Sequence, residues 1–416
     1  MKQATKFPSQ EYAVSNALSC ASSCIMRRQT RYRVLAWFSM VAMILSFLPF
    51  AILPEISPEP PAISLHRPKL SPPTLPAAAS CALCFFGLPR SFELFVLPSI
   101  IENILKTNKG NRCDIYFHYY DVKEEQKNVR SGSGGQIDVQ AVEKLREAVK
   151  DVYGNDDPNL PFVSIISDTE SEFLSKRGQL MEKYRKTKAK DGKYLYFPWM
   201  AKSFVYPTSI DNIVKQWHSI DAVWKEMELG AAKLQKEYAQ VAMLRNDVMY
   251  VTPFDIYNTS RTTKRGAYHK NNNLDDYVGV PAWARFPIND RMIYGSYKGV
   301  KIWSTERFQR LEDHVLTYEP GYGMHSERFL NHSIFPAIRD LGIQVVENPD
   351  LCFFRARADG SVWISDCATR NGAARGFRKM DTQRLVENII GKSCQKSKYN
   401  RVTLQLHCNN EPQKNR

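Results

Sequence analysis

An arginine and an aspartate stand two positions apart where one apolar stretch ends, in Arg245-Asn246-Asp247. The preceding run, Val241 to Leu244, is too short for an isolated helix and has the composition of a strand buried on both faces. Strand side chains alternate, so Arg245 and Asp247 are expected side by side at the sheet edge where open α/β sheets bind ligands. The carboxylate could hold Mg²⁺ or Mn²⁺ against a diphosphate, and the guanidinium could grip a phosphate oxygen. The alternative is an ion pair that only closes the strand.

The elements before this strand alternate as in a doubly wound sheet. Cys81 to Phe86 indicates a strand, Phe92 to Lys106 a helix with Ser91 as its cap, and Cys113 to Asp121 a second strand. A helix from Ile210 to Met227 carries an apolar stripe, including two tryptophans, that is expected to pack on the sheet. The sequence therefore predicts an α/β fold, with a Rossmann-like mixed sheet flanked by helices.

Two acidic residues mark the later elements. Asn289-Asp290-Arg291 is expected to lead into a helix that continues through about His314. Glu327 stands in the first turn of another predicted helix. Either acid can equally serve as a helix cap or turn residue.

The N-terminal part of the chain is predicted to be anchored in a membrane. Residues 34–53 carry no charge over twenty positions, which is long enough to span the hydrocarbon core at about 1.5 Å per residue. Four arginines precede this segment and two glutamates follow it, so residues 1–33 are expected in the cytoplasm and the rest in the lumen. This predicts a signal anchor of a single-pass type II protein of the Golgi or endoplasmic reticulum membrane. A cleaved signal peptide is the alternative.

The predicted lumenal part divides into three. Residues 54–80 contain eight prolines and are expected to form an extended stem, residues 81–390 a folded domain, and residues 391–416 a basic tail. Seven of the nine cysteines follow the predicted span, where disulfides persist, and an odd number leaves one thiol free or paired between chains. Two sequons, at Asn258 and Asn331, fit a lumenal glycoprotein.

The net charge of +14 is spread along the chain. We find no stripe of arginines interleaved with aromatic residues of the kind that binds single-stranded nucleic acid. The excess is therefore interpreted as a solvated surface, and nucleic acid is not an expected partner.

The succession of motifs CFFGLPRSF, DIYFHYYDV, QWHSIDAVW, VAMLRNDVMY, NDRMIYGS and HSERFL resembles a group of GT-A-type glycosyltransferase-like proteins with Arg-x-Asp in place of Asp-x-Asp. The similarity runs from about Cys81 to Arg357. It implies a GT-A-like fold and transfer of a sugar from a nucleotide-sugar donor to a glycan or glycoprotein acceptor.

The resemblance also implies roles for individual residues. Arg90 would contact the donor nucleotide or its phosphates, and Asp247, with Arg245 beside it, would take the metal or ribose role. Asp290 and Glu327 would bind acceptor hydroxyls or remove a proton. The leaving diphosphate needs a divalent cation, Mn²⁺ or Mg²⁺, or basic residues, and an inverting mechanism needs a carboxylate base.

Two other functions fit parts of the sequence. The segment Gly87 to Ser91 resembles the start of a sulfotransferase phosphate loop, but Phe92 and Glu93 follow where that loop needs small or hydroxyl residues. A non-catalytic glycan-binding or scaffold protein on the same fold is the other alternative. Among these functions, we expect a membrane-anchored lumenal glycosyltransferase.

Overall fold

The computed structural model describes residues 80–127, 134–257, 277–318, 321–369, 372–374, 382–398 and 404–408. The predicted cytoplasmic tail, membrane span and stem, together with the sequon at Asn258, lie outside these residues. Within them, no helix combines the length and the apolar character that crossing a bilayer requires.

Strands and helices alternate through most of the chain. The strands are β1 (Ser80–Gly87), β2 (Asp114–Tyr120), β3 (Glu124–Glu125), β4 (Gly135–Gln136), β5 (Val163–Asp168), β6 (Tyr238–Arg245), β7 (Val248–Tyr250), β8 (Tyr277–Pro281), β9 (Ile293–Ser296), β10 (Gln344–Asn348), β11 (Phe353–Ala356), β12 (Ser361–Trp363), β13 (Ala368–Thr369), β14 (Gly372–Ala373), β15 (Cys394–Lys398) and β16 (Leu404–Cys408). The helices are α1 (three stretches, Phe92–Val96, Leu97–Ile100 and Ile101–Leu105), α2 (Lys144–Tyr153, after a 3₁₀ turn at Gln140–Glu143), α3 (Glu170–Lys186), α4 (Thr208–Leu234), α5 (Tyr297–Thr305), α6 (Arg307–Thr317), α7 (three stretches, Ser326–Phe329, Leu330–Ile334 and Phe335–Asp340) and α8 (Thr382–Ile390).

The main sheet has seven strands in the order β10-β8-β9-β6-β1-β2-β5. Strands β6, β1, β2 and β5 are parallel, β9 runs antiparallel to both β6 and β8, and β10 is parallel to β8. The predicted mixed α/β sheet flanked by helices is confirmed. From β1 the chain builds outward through β2 and β5 and then returns to place β6 on the other side of β1. The carboxyl ends of β1 and β6 therefore border a topological switch point, where open sheets bind ligands.

The sheet is buried on both faces, as the apolar strand sequences predicted. Alternate residues of β1 enter different cores: Leu83 and Phe85 pack with α1, α2 and part of a second sheet, while Cys84 and Phe86 pack with α4, α5 and α7. The tryptophans at positions 217 and 224 of α4 are fully buried in the second core, as expected. Both faces being covered explains the near-continuous apolar runs.

One predicted helix boundary is wrong. The segment after Asp290 was expected to enter a helix directly, but Ile293–Ser296 first forms β9 beside β6. Gly295 permits this pairing because it has φ +132°, and a Cβ at that position would lie 2.4 Å from the carbonyl oxygen of Tyr277. Since β9 is antiparallel to β6, Asp290 lies in the loop at the edge of the sheet where β6 ends. Asp290 therefore precedes a strand and does not open a helix.

A second, antiparallel sheet has the order β15-β16-β12-β11-β7. The predicted basic tail contributes β15 and β16, which the disulfide Cys394–Cys408 joins. Two more disulfides link Cys81 to Cys113 and Cys352 to Cys367. Cys84 is the free cysteine among the residues with described positions, and it is buried. The predicted disulfides with one thiol left over are confirmed.

Candidate active site

The loop after β1 places Arg90 at the switch point. Gly87 ends the strand with φ +126°, and a Cβ there would lie 2.8 Å from Asn246 Oδ1, so glycine lets the loop cross close to the end of β6. Ser91 was expected to cap α1, but its hydroxyl makes no capping bond and instead donates to the carbonyl of Arg357 at 2.6 Å. This bond ties the loop to the end of β11.

Asp247 lies between two guanidinium groups. Arg245 donates through Nε and Nη2 to the two carboxylate oxygens, each at 2.6 Å, and Arg90 Nη1 donates to Oδ2 at 2.7 Å. The predicted side-by-side placement of Arg245 and Asp247 is therefore confirmed. Only 1% of the Asp247 side chain is exposed. Burial alone would raise the pKa of this carboxyl, but the charge and hydrogen bonds of Arg245, with the charge of Arg90, hold it well below its usual range.

Arg90 bridges this aspartate to a second carboxylate. Its Nε and Nη2 donate to Glu125 at 2.7 and 2.5 Å. The guanidinium fork is thus fixed between Glu125 on β3 and Asp247 beyond β6, a planar geometry that lysine could not reproduce.

Asp290 and Glu327 come together although 37 positions separate them in the chain. Burial and the charge of Glu327 raise the pKa of Asp290 to about 6, against the charges of Arg291, Arg245 and Arg307. Glu327 lies in the first turn of α7, as predicted, and its Oε2 is 3.2 Å from His325 Nδ1. A carboxyl that exchanges its proton near neutral pH suits acid or base chemistry.

Sequence reasoning missed four further arginines around these acids. Arg355 pairs with Asp366 through Nε at 2.8 Å and Nη2 at 2.5 Å. The charges of Arg355 and Asp366 act on both Arg291 and Arg357, while Arg307 lies within the field of Asp290. Alternation along β11 could have indicated that positions 355 and 357 share a face, and the neighbouring strand β12 with the turn after it brings Trp363 and Asp366 to them, whereas Arg90 and Asp247 come from distant segments.

Three of these arginines stack on tryptophans and form no salt bridge with an acid in the described part of the chain. Each guanidinium carbon lies over an indole ring: Arg291 over Trp283 at 4.9 Å, Arg307 over Trp303 at 3.9 Å and Arg357 over Trp363 at 4.1 Å. Each also has a buried nitrogen with no hydrogen-bond partner among the described residues: Arg291 Nη1, Arg307 Nη2 and Arg357 Nε. Burial, followed by the charges of Arg355 and Arg90, lowers the pKa of Arg357. The cluster therefore has spare donors for an anion.

A different cluster lies at the ends of β2 and β5. His118, Asp168 and His218 are buried, and one ligand atom from each lies within 4.8 Å of the others, so this set could hold a metal ion. Asp168 Oδ2 is 2.6 Å from His218 Nε2 and 3.2 Å from His118 Nε2, and Lys176 pairs with Oδ1. A histidine on an apolar strand such as β2 is ordinarily structural, and no spacing in the sequence indicates Asp168 and His218 as its partners.

The hydrogen bonds of this second cluster are complete without an ion. Arg177 Nε donates to His218 Nδ1 at 3.2 Å, so the proton of that ring is on Nε2 and points to Asp168. Ser219 Oγ accepts from the amide of Gly87 at 2.9 Å and can donate to His118 Nδ1 at 2.7 Å. Burial lowers the pKa of His218, which favours the neutral ring. A metal bound to His218 Nε2 would shift the proton of the neutral ring to Nδ1. Arg177 would then have to move, because its Nε donates to that nitrogen.

The contacts of Asp247 do not suit the predicted divalent cation. Both of its oxygens already accept hydrogen bonds from guanidinium groups, three in all, so a cation would compete with those groups for the same carboxylate. The charges nearest to it, those of Arg245, Arg90 and Arg357, would also repel the cation.

No known family model matches the chain, and a comparison with curated proteins found no match either.

Proposed function

We propose that this chain is a glycosyltransferase that moves a sugar from a nucleotide-sugar donor to a glycan or glycoconjugate. The observation that carries the proposal is the meeting, at the switch point of the sheet, of an arginine cluster with a carboxyl whose pKa is about 6. The arginine cluster can bind the diphosphate of a donor, and the carboxyl of Asp290 can take the proton of an acceptor hydroxyl.

The donor would bind with its diphosphate against the arginines at the ends of β1, β6 and β11. Arg90 and Arg245 are fixed by Asp247, so they hold their orientation before a ligand arrives. Guanidinium groups match phosphate oxygens in geometry and charge. Such preorganised cations stabilise the charge that develops on the leaving diphosphate.

Asp290 would be the general base. In its ionised form it accepts the proton of the acceptor hydroxyl while that oxygen forms a bond to the anomeric carbon and the bond from this carbon to the diphosphate oxygen breaks. Glu327, held beside His325, would raise the proton affinity of Asp290 through its charge and orient the acceptor. This arrangement corresponds to transfer with inversion.

The proposal extends to the fold and the compartment. Parallel strands with helices on both faces and acids at the carboxyl edge are compatible with a GT-A-like domain. The charge-free segment 34–53 supports a type II anchor in the Golgi or endoplasmic reticulum membrane, and the three disulfides support a lumenal domain.

The test is release of nucleoside diphosphate from a panel of nucleotide sugars by the full-length chain in detergent, with a mixture of glycoprotein acceptors. We expect turnover with one donor, and an Asp290→Asn variant that binds this donor but turns it over about 10²- to 10⁴-fold more slowly. Asp313→Asn, at an exposed position of α6, is the matched control and should retain activity. Equal rates for Asp290→Asn and wild type would refute the assigned base.

A further inference from the structure

We propose that the diphosphate is held by Arg291 and Arg357, without a divalent cation at Asp247, and that Asp247 serves to position the guanidinium groups of Arg90 and Arg245. This inference rests on the proposed function for the identity of the donor. Its physical basis, an anion site made of arginines, stands on the geometry alone.

The carboxylate that would have to bind the cation is already neutralised. Asp247 accepts three hydrogen bonds from Arg245 and Arg90 at 2.6 to 2.7 Å, and its side chain is 1% exposed. A metal ligand needs a free lone pair that faces a space for the ion, whereas these oxygens face bound cations. Asp247 is therefore the counter-charge for two arginines.

The groups that lack hydrogen-bond partners at this site are N–H donors of two arginines. Arg357 is 4% exposed, and its Nε has no acceptor within the described ranges. Arg291 Nη1 is buried and equally unpaired. Buried charged groups without partners cost stability, so a fold that keeps two of them has a use for their free N–H groups.

The two arginines share charged neighbours. Both lie within the field of the Arg355–Asp366 pair, and each is stacked on an indole. Stacking on a ring holds a guanidinium by its face, so its N–H edge remains available for hydrogen bonds. Arg357 is further tied to the loop after β1, because its carbonyl accepts from Ser91. A diphosphate has enough oxygens to accept hydrogen bonds from both guanidinium groups.

The experiment is calorimetric titration of the full-length chain in detergent with inorganic pyrophosphate in the presence of EDTA. We expect binding that weakens with added salt, since the contacts are ionic. Arg357→Gln and Arg291→Gln should each weaken binding about 10- to 100-fold. Arg310→Gln is the matched control, because Arg310 is 41% exposed and paired with Glu306 on the surface of α6, and its affinity should equal that of wild type.

Thermal melting of the same variants without ligand separates loss of binding from loss of fold. Removing an unpaired buried charge should raise the melting temperature, so Arg357→Gln is expected to be more stable than wild type while it binds pyrophosphate less well. A lower melting temperature together with unchanged pyrophosphate affinity would assign Arg357 to structure and overturn the inference.

Two further results would overturn it. One is pyrophosphate binding that appears only when Mn²⁺ or Mg²⁺ replaces EDTA and is lost in Asp247→Asn. The other is no binding in either condition. Binding in EDTA that requires Arg357, in a protein that accepts no nucleotide sugar, would instead support the anion site and contradict the proposed glycosyltransferase.

Discussion

Two clusters of charged side chains lie at the carboxyl edge of the main sheet, and they differ in what they leave unpaired. Around His118, Asp168 and His218, each ring nitrogen and both carboxylate oxygens have hydrogen-bond partners. In the arginine cluster, Asp247 is fully paired but Arg291, Arg307 and Arg357 keep buried nitrogens without partners in the described part of the chain.

This difference separates a structural network from a binding site. A complete network gains nothing from a ligand, because any new contact must replace an existing hydrogen bond. An incomplete one gains both the new contacts and relief from unpaired buried groups. The histidine cluster has the residue types of a metal site, but its hydrogen bonds are complete. The arginine cluster has buried N–H donors that lack acceptors, as an anion-binding site does before its ligand binds. We take unpaired donors as the better guide to function than residue types.

The largest expected effect comes from removing the acid at the centre of the arginine cluster. Asp247→Ala leaves Arg90 and Arg245 without this counter-charge, so it should lower the free energy of unfolding by about 3–5 kcal/mol and abolish donor turnover. Urea denaturation and the release assay measure the two effects. Asp157→Ala, which breaks the surface pair with Arg112, should cost much less, because solvent screens that pair. Comparable losses in the two variants would contradict the central position of Asp247.

The second expected effect is that replacing Asp290 increases stability and decreases activity. Its pKa of about 6 in the fold lies above the ordinary 3.8, so the stability it contributes is complete below about pH 4 and is lost as pH rises through 6. Asp290→Asn should therefore raise the melting temperature at pH 8 but not at pH 4. The rate of wild type should rise with pH through about 6, as the base ionises, and Asp290→Asn should show no such rise. An Asp290→Asn variant that is less stable than wild type at pH 8 would contradict the raised pKa of Asp290.

A smaller effect of opposite pH sign is expected in the histidine cluster. Because the pKa of His218 is lowered in the fold, its contribution to stability is complete above the ordinary value of 6.5 and is lost as pH falls. His218→Gln should cost about 1–3 kcal/mol at pH 7.5 and remove this acid sensitivity, with donor turnover per folded molecule unchanged. Melting curves between pH 5 and 8 in an Asp290→Asn background separate the pH-dependent stability due to His218 from that due to Asp290. Loss of turnover in folded His218→Gln would give this cluster a functional role.

The last prediction is that removing metal ions has no effect on stability. Because the hydrogen bonds of the histidine cluster are complete, EDTA should leave the melting temperature unchanged, and elemental analysis of the purified chain should find no stoichiometric metal. A tightly bound ion that disappears in His218→Gln would reverse the comparison between the two clusters.

The sequence predicted the parts of the fold that depend on local pattern. Apolar runs identified the buried strands, and alternation along β6 placed Arg245 beside Asp247. The helix expected after Asp290 was wrong, because pairing of Ile293–Ser296 with β6 depends on a distant strand. The stacking of Arg291 on Trp283 and of Arg357 on Trp363 joins residues eight and six positions apart, but it depends on how the intervening turns fold, which strand alternation does not indicate. The predicted membrane span and stem remain predictions.

Thermal melting of the full-length chain in detergent against nucleoside diphosphates, nucleotide sugars and 3′-phosphoadenosine phosphates shows whether the protein binds a nucleotide sugar. A ligand that binds only the folded state raises the melting temperature by mass action, without an acceptor. We expect an upward shift with one nucleotide sugar and its diphosphate, kept in Asp290→Asn and Arg310→Gln but reduced in Arg357→Gln. A shift with adenosine phosphates alone would indicate a sulfotransferase, and no shift with any nucleotide sugar would contradict the account.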